Sequence, residues 1–271
     1  MQEKRAGMAE IAEQEAADRR FKRLRIFNFV TGLTLLVQGI LMLVLSSNYS
    51  LPVTTHYLGS RVGLRFPEPV AREAARLQIG TMVAAFLFIS AAALLLIASP
   101  GIFNRYRRNL KKGINYGRWI EYAFSASLMI VVIAMLAGMY DLSSLILIFT
   151  LNATMILFGL MMELHNQTTE KTNWTAFAFG CIAGIVPWVV IALYFISAAA
   201  DPSNKIPAFV YGIMISIFVF FNIFVVNMVL QYKKVGPWKD YLFGEKVYII
   251  LSLTAKSLLA WQVFAGTLRP R

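Results

Sequence analysis

The residue best placed to do chemistry is a lysine, Lys256, inside the apolar run IILSLTAKSLLAWQVF. It lies about twelve residues into the last apolar stretch, roughly 18 Å along a helix at 1.5 Å per residue. A charge in the middle of a membrane costs at least about 3 kcal/mol, so an ionisable residue there indicates a functional site. A desolvated lysine is also a good nucleophile toward an aldehyde. We therefore expect Lys256 either to pair with a carboxylate or to form a Schiff base.

The acidic residue best placed to accompany this lysine is Glu121, in the segment RWIEYAFSASLMI. It lies some turns inside an apolar stretch, whereas Asp141, Glu163 and Asp201 lie near the ends of theirs. Side chains in helices lean toward the N-terminus, which brings Lys256 toward the depth of Glu121 if both helices run in the same direction. A structural ion pair and a Schiff base with a carboxylate counter-ion remain alternatives at this point.

Hydroxyl and aromatic side chains accompany the two charges. Ser125 follows Glu121 by one helical turn, and Ser252 precedes Lys256 by one turn, so each serine shares a helix face with its charge. A conjugated apolar ligand on the lysine would need rigid aromatic walls. The candidates in the apolar stretches are Tyr122, Trp188, Phe218, Phe221, Phe224 and Trp261.

The composition indicates a protein built for lipid. Of the 271 residues 58% are hydrophobic and 15% are charged, against about half and a quarter in soluble domains. The net charge is +12, but the basic residues lie between apolar stretches, so membrane lipids with anionic headgroups are the expected partner and nucleic acid is not. The single cysteine, Cys181, permits no internal disulfide, and the spacing of His56 and His165 suggests no metal site.

Seven stretches are long and apolar enough to cross a bilayer, which takes about 20 residues of helix. The sequence therefore predicts an all-α membrane protein, a bundle of seven transmembrane helices. The predicted spans are 26–46, 78–98, 117–139, 142–162, 174–198, 207–230 and 244–268.

The distribution of basic residues predicts the orientation. Eighteen of the 26 Lys and Arg residues fall on the side of the N-terminus and seven on the other side, so the N-terminus is expected in the cytoplasm and the C-terminus outside. The chain then divides into a cytoplasmic basic segment 1–25, a membrane domain 26–268 and an external tail 269–271.

The first external loop, 47–77, is the only long connection, and its pattern predicts a small β-hairpin. Tyr49–Leu58 and Arg61–Phe66 are the expected strands, joined at Gly59-Ser60. Pro67 and Pro69 would end the hairpin, and Val70–Gln78 looks like a helix that enters the second span.

Two motifs together resemble the heliorhodopsins: a seventh helix reading SLTAKSLLAWQVFAGTL and a third helix reading RWIEYAFSAS. The resemblance extends to the seven spans, the inverted topology and the structured first external loop. It implies that Lys256 is the Schiff-base lysine of a covalently bound all-trans retinal and that Glu121 is its counter-ion. Ser125 and Ser252 would be the hydrogen-bonding neighbours of the Schiff base. The residues that would line the chromophore are Tyr122, Met129, Asn152, Ile156, Phe221 and Trp261.

The resemblance also implies a light-sensing photoreceptor of the plasma membrane, a homodimer that is not an enzyme. Retinal would isomerise from all-trans to 13-cis in a slow cycle suited to signalling, through a cytoplasmic partner that the sequence does not identify. Glu163 resembles an acidic residue that the family uses near the cytoplasmic face. Some members keep histidines near the Schiff base, and neither His56 nor His165 could take that place here, which leaves the acceptor of a released proton open.

Two other functions stay open. A light-driven or light-gated ion (proton) transporter would use the same chromophore, although the spans offer few ionisable groups beyond Glu121 for a transport path. A seven-span carrier or scaffold without retinal would use Lys256 and Glu121 as a structural pair.

Overall fold

The computed structural model describes residues 2–59, 66–203 and 206–269. Eight α-helices and one two-stranded sheet form in this part of the chain, with a 3₁₀ turn at Gly236–Lys239 and a π-helical turn at Phe264–Leu268. In chain order they are α1 (Gln2–Leu45), β1 (Ser50–Gly59), β2 (Glu68–Gln78), α2 (Ile79–Ala98), α3 (Pro100–Lys111), α4 (Tyr116–Leu136), α5 (Leu142–His165), α6 (Thr175–Ala200), α7 (Ala208–Tyr232) and α8 (Tyr241–Val263).

The predicted seven-helix bundle is confirmed in the described part of the chain. Seven helices are long and apolar enough to cross a membrane: Gln14–Leu45, Ile79–Ala98, Tyr116–Leu136, Leu142–His165, Thr175–Ala200, Ala208–Tyr232 and Tyr241–Leu268. The protein is therefore a multi-pass membrane protein. The orientation of its termini stays a prediction.

Two helical segments differ from the prediction. Helix α1 has 44 residues, about 66 Å at 1.5 Å per residue, so it extends well beyond a bilayer core of about 30 Å. Helix α3, read in the sequence only as a basic connection, begins at Pro100 and buries Phe103, Tyr106 and Leu110 on one face. These three residues share a cluster with Phe21 and other side chains of α1, which keeps α3 on the end of the bundle.

The hairpin in the loop between the first two spans forms, but its second strand was predicted in the wrong place. β1 pairs antiparallel with β2, from Ser50 opposite Gln78 to Gly59 opposite Glu68. The helix predicted at Val70–Gln78 is wrong, because pairing with β1 satisfies the backbone there in spite of the helix-forming side chains. Pro69 lies inside β2, where a proline is tolerated since both strands are edges. Of the strand expected at Arg61–Phe66, residues 61–65 lie outside the described residues.

The hairpin is attached to the turn between α4 and α5. The backbone N–H of Thr54 donates to the carbonyl of Tyr140 at 2.8 Å, and His56 Nδ1 lies 3.2 Å from Asp141 Oδ1. Asp141 also caps α5 by accepting from the backbone N–H of Ser144 at 2.8 Å. The hydrogen bond from the Ser144 backbone, which has the largest effect, and those from the Ser144 and His56 side chains lower the pKa of Asp141 below its ordinary value.

Helix α4 is the centre of the bundle. All seven residues from Met129 to Met135 are buried, so this part of the helix is covered on every side. A helix that is apolar all round belongs in the interior. The carboxylate of Glu121, two turns before Met129, is therefore held on the most enclosed helix of the protein.

Candidate functional site

The lysine and glutamate singled out in the sequence form a buried ion pair. Lys256 Nζ on α8 lies 2.9 Å from Glu121 Oε1 on α4, and the two residues are 2% and 7% exposed. Burying two charges costs several kcal/mol per ion, which only close contact and further hydrogen bonds offset. The pair therefore needs partners on the neighbouring side chains.

Those partners are serines from three helices. Ser125 Oγ donates to Glu121 Oε1 at 2.5 Å, and Lys256 Nζ donates to Ser252 Oγ at 2.7 Å, as the one-turn spacing predicted. A third serine, Ser90 on α2, lies 2.5 Å from the same Glu121 oxygen. Sequence reasoning missed Ser90, since a lone serine in an apolar span most often bonds its own backbone. One carboxylate oxygen thus receives three donors.

Tyr122 lies against the lysine on the other side. The Nζ atom of Lys256 is 4.8 Å from the centre of the Tyr122 ring, a distance at which the ring attracts a cation. The phenol of Tyr122 donates to the backbone carbonyl of Tyr248 at 2.9 Å, which fixes the ring. The amine is therefore held by a carboxylate, a hydroxyl and an aromatic face.

A cavity of about 360 Å³ begins at this lysine and lies between α4, α5, α6, α7 and α8. Its lining is almost entirely apolar. Four of the predicted contact residues line it, namely Tyr122, Met129, Ile156 and Phe221, and so do Ser252 and Lys256. The other aromatic candidates that line it are Trp188, Phe218 and Phe224.

The remaining predicted residues lie elsewhere. Glu121 and Ser125 are beside the lysine but are not part of the apolar lining. Asn152 is buried and donates to Ser127 at 3.0 Å. Trp261 is 38% exposed, and its ring packs against that of Phe264. For Asn152 and Trp261 a contact with the chromophore stays a prediction.

Rigid aromatic pairs and a close helix approach shape the cavity. Trp188 on α6 packs edge-on against Phe218 and Phe221 of α7, with ring centres 5.1 and 5.5 Å away. On the α5 side, a Cβ at Gly184 would lie 2.2 Å from Met155 Sδ, so the glycine lets the two helices come together along the cavity wall.

A second buried ionic cluster lies at the end of the bundle where α4 and α8 begin. Arg118 bonds Glu163 at 2.5 Å and makes a further close hydrogen bond to Glu245. All three residues are at most 6% exposed. The sequence analysis placed Glu163 near the end of a span, but it did not identify Arg118 or Glu245 as residues of a site. However, Glu245 precedes Lys256 by eleven residues, three helical turns, and this spacing places both on one face of α8.

A comparison with known protein families supports the family resemblance that the two helix motifs indicate. The family model described as Heliorhodopsin matches residues 24–268, nearly the whole chain. No curated protein matches the chain. The matched range contains all seven candidate spans except the first turns of α1, and it contains both buried ionic groups.

Proposed function

Since the chain belongs to the heliorhodopsin family, a family of retinal-binding light-sensing rhodopsins, we propose that it is a photoreceptor with all-trans retinal bound covalently to Lys256. The observation that carries the proposal is the buried amine at the end of an apolar, aromatic-lined cavity. The alternative, a structural ion pair, gives no reason for a cavity of about 360 Å³ beside the pair.

The residues present fit a retinal. The cavity volume lies within the range of about 300–1,000 Å³ typical of small-molecule sites, and the lining suits a polyene. Lys256 is part of the cavity lining, so an aldehyde bound in the cavity would lie next to this lysine. When bound, retinal supplies the absorption of visible light and a change of shape from all-trans to 13-cis.

The chain's own residues then have distinct roles. Glu121 balances the positive charge at the Lys256 nitrogen, and Ser90 and Ser125 hold its carboxylate oxygen in place. One wall of the cavity resists a change in the shape of the bound molecule, because the rings of Trp188, Phe218 and Phe221 pack edge to face. Displacing this wall is how a signal would pass to α6 and α7.

We propose signalling without ion pumping. In the described part of α8 after Lys256, the buried side chains are Leu259, Ala260 and Val263, all apolar, so this helix offers no buried ionisable group toward that end. Vectorial transport needs ionisable or hydrated groups on both sides of the switch. We also propose a homodimer in the plasma membrane, with the N-terminus facing the cytoplasm and a signalling partner on that side.

Reconstitution with retinal tests the function. Adding all-trans retinal to the purified protein is expected to give a visible absorption band that hydroxylamine bleaches. The band should be absent in Lys256→Ala and retained in Lys246→Ala, a lysine on the same helix. A colourless wild type would refute the photoreceptor and favour the structural pair.

Illumination of vesicles that contain the pigment tests the absence of pumping. No sustained change in external pH is expected. A sustained, ionophore-sensitive change would instead establish the transporter.

A further inference from the structure

A second, smaller cavity, called the polar cavity here after the charged side chains in its lining, lies between Glu121 and two members of the second ionic cluster. Its volume is about 20 Å³, and its lining includes Glu121, Glu245, Arg118 and Asn28. Its lining shares only Tyr122 and Ser252 with that of the large apolar cavity. The two carboxylates therefore line a common space that is large enough only for a very small molecule.

Two hydrogen-bond donors at this cavity make no hydrogen bond of ordinary geometry to the described residues, although Tyr106 lies close to the first of them. They are Nδ2 of Asn28 and Nε of Arg118, on residues 1% and 6% exposed. A buried donor left unpaired costs about 1–3 kcal/mol, so such a pair in one small space indicates a bound molecule that accepts hydrogen bonds.

Acceptors face the same space. Glu121 Oε1 receives the lysine and two serines, whereas no hydrogen bond from the described residues reaches Glu121 Oε2. An anion in the cavity would meet two carboxylates, and a cation would meet the guanidinium of Arg118. Water accepts two hydrogen bonds and donates two, and a cavity needs only about 10–15 Å³ to hold one molecule.

We propose that this cavity binds one water molecule, and that the water makes Glu245 the group that exchanges a proton with Glu121. The exchange rests on the proposed function, because light first has to break the N–H bond at the Lys256 nitrogen and move that proton onto Glu121. The O–H bond of the Glu121 carboxyl then breaks and the water oxygen takes the proton. One of the water's own O–H bonds breaks in turn and protonates Glu245. Glu121 returns to a carboxylate, Glu245 becomes neutral and the water is regenerated.

The charge of the cluster favours Glu245 as the acceptor. Two carboxylates share one guanidinium, so one negative charge is in surplus in a buried site, and a proton removes it. The other groups close to Glu245 are the phenols of Tyr106, Tyr241 and Tyr248, which carry no competing positive charge.

The hydrogen bonds decide between the two carboxylates of the cluster. Glu163 accepts from Arg118, Tyr241, the Asn115 backbone and the Trp119 indole. Glu245 accepts from Arg118 and the Asn115 amide and also interacts with the Tyr241 phenol, so it has three such partners where Glu163 has four. Protonating Glu245 therefore disturbs fewer bonds, and only Glu245 lines the cavity.

Neither of the two histidines lies where it could accept this proton in place of Glu245. His56 lies in the hairpin, bonded to Asp141, and His165 is exposed at the last residue of α5. Neither lines the polar cavity. A proton that leaves the Lys256–Glu121 pair thus has a carboxylate within one water molecule of it.

An experimental structure of the protein without retinal, at a resolution that shows ordered water, tests the site without any light response. One water is expected within hydrogen-bond distance of Asn28 Nδ2 and Arg118 Nε. In Asn28→Leu it should be lost, whereas Asn227→Leu, equally buried but outside the cavity, should keep it. An empty cavity in the wild type, or an ion in it, overturns the proposal.

Light-induced infrared difference spectra of the retinal-loaded protein test the exchange. A carbonyl band of a newly protonated carboxylic acid is expected, absent in Glu245→Gln and retained in Glu163→Gln, together with a water band that shifts in H₂¹⁸O. A band that persists in Glu245→Gln, or is lost only in Glu163→Gln, would exclude Glu245 as the acceptor. A coloured protein with that result keeps the photoreceptor and loses the exchange, whereas a protein that never becomes coloured fails at the proposed function itself.

Discussion

The chemistry of the site depends on one carboxylate oxygen. Glu121 Oε1 receives hydrogen bonds from Ser90 on α2, Ser125 on α4 and Lys256 on α8, so three helices fix its position. Charge-assisted hydrogen bonds are about twice as strong as neutral ones. The negative charge is therefore held at one place relative to the amine before any ligand binds.

Replacing Glu121 by Gln should shift the absorption of the retinal-loaded protein to the red in whatever fraction stays protonated. The pigment should also deprotonate at a pH lower by about one unit or more, because an opposite charge in contact with the nitrogen is lost. Absorption spectra across a pH series measure both effects. Ser125→Ala, which keeps the charge, should give a smaller change of each. An unaltered titration in Glu121→Gln would mean that another group balances the lysine.

Sequence reasoning found the residues whose type is unusual for their place. A lysine and a glutamate inside apolar runs are recognisable at once, and the one-turn spacing added Ser125 and Ser252. Ser90 was missed, since its role depends on α2 packing against α4, which no local pattern shows. Glu245 was missed because it is the second residue of the predicted span 244–268, where a charged side chain can still reach water.

At the scale of the elements, the close approach of α4 and α5 depends on glycine. A Cβ at Gly159 would lie 2.3 Å from the indole ring of Trp119, and that ring cannot withdraw freely because its N–H donates to Glu163 at 2.7 Å. Packing of α5 against Trp119 thus keeps the indole N–H in position to bond Glu163 of the ionic cluster.

Replacing Gly159 by Ala is expected to destabilise the protein by about 1–3 kcal/mol, the usual cost of an overpacked site. Gly101→Ala in α3 is the matched control, since nothing lies within 4 Å of the added methyl group. A gain of up to about 1 kcal/mol is expected for the control. Thermal unfolding in detergent compares the two, and an equal response of both variants would contradict the packing argument.

The residue that caps α5, Asp141, also contacts His56 of the hairpin. Asp141→Ala removes the cap of α5, which typically contributes about 1 kcal/mol, and it also removes the contact with His56. Because the folded-state pKa of Asp141 is lowered, its contribution is complete above about pH 4 and is lost as the pH falls through the folded value.

The melting temperature of Asp141→Ala should therefore lie below that of the wild type at neutral pH and approach it in acid. Asp201→Ala removes a side chain that accepts a hydrogen bond from the Ser203 backbone N–H in an exposed turn after α6. This variant should lower the melting temperature less. A difference between Asp141→Ala and the wild type that is independent of pH would show that the carboxylate charge is not what the cap uses.

The elements were predictable to different degrees. A span has to be long and apolar whatever its neighbours are, so all seven were found within a few residues except at the start of α1. The hairpin is stabilised by pairing between distant residues, and the helix-forming character of AREAARLQ gave the wrong structure for β2. Helix α3 had a usable signal in Pro100 and the spacing of Phe103, Tyr106 and Leu110.

At the scale of the whole molecule, the orientation in the membrane and the site are linked. The ionic cluster lies where α4 and α8 begin, the end that the basic residues predict to face the cytoplasm, and the hairpin lies at the other end. The cavity itself could not be predicted, since it forms only where five helices leave space between them.

Cysteine labelling tests the orientation. In a Cys181→Ser background, Tyr57→Cys in the exposed hairpin should react with a membrane-impermeant maleimide in intact cells. Asn104→Cys on α3 should react only after lysis. The reverse pattern would invert the topology and place the ionic cluster outside.

The covalent bond itself is tested most directly by reduction with borohydride after loading with all-trans retinal, followed by peptide mass spectrometry. We expect one retinyl group, on the peptide at Lys256, and none at Lys246 or any other lysine. A coloured protein whose reduced peptides carry no retinyl group at Lys256 would contradict the account.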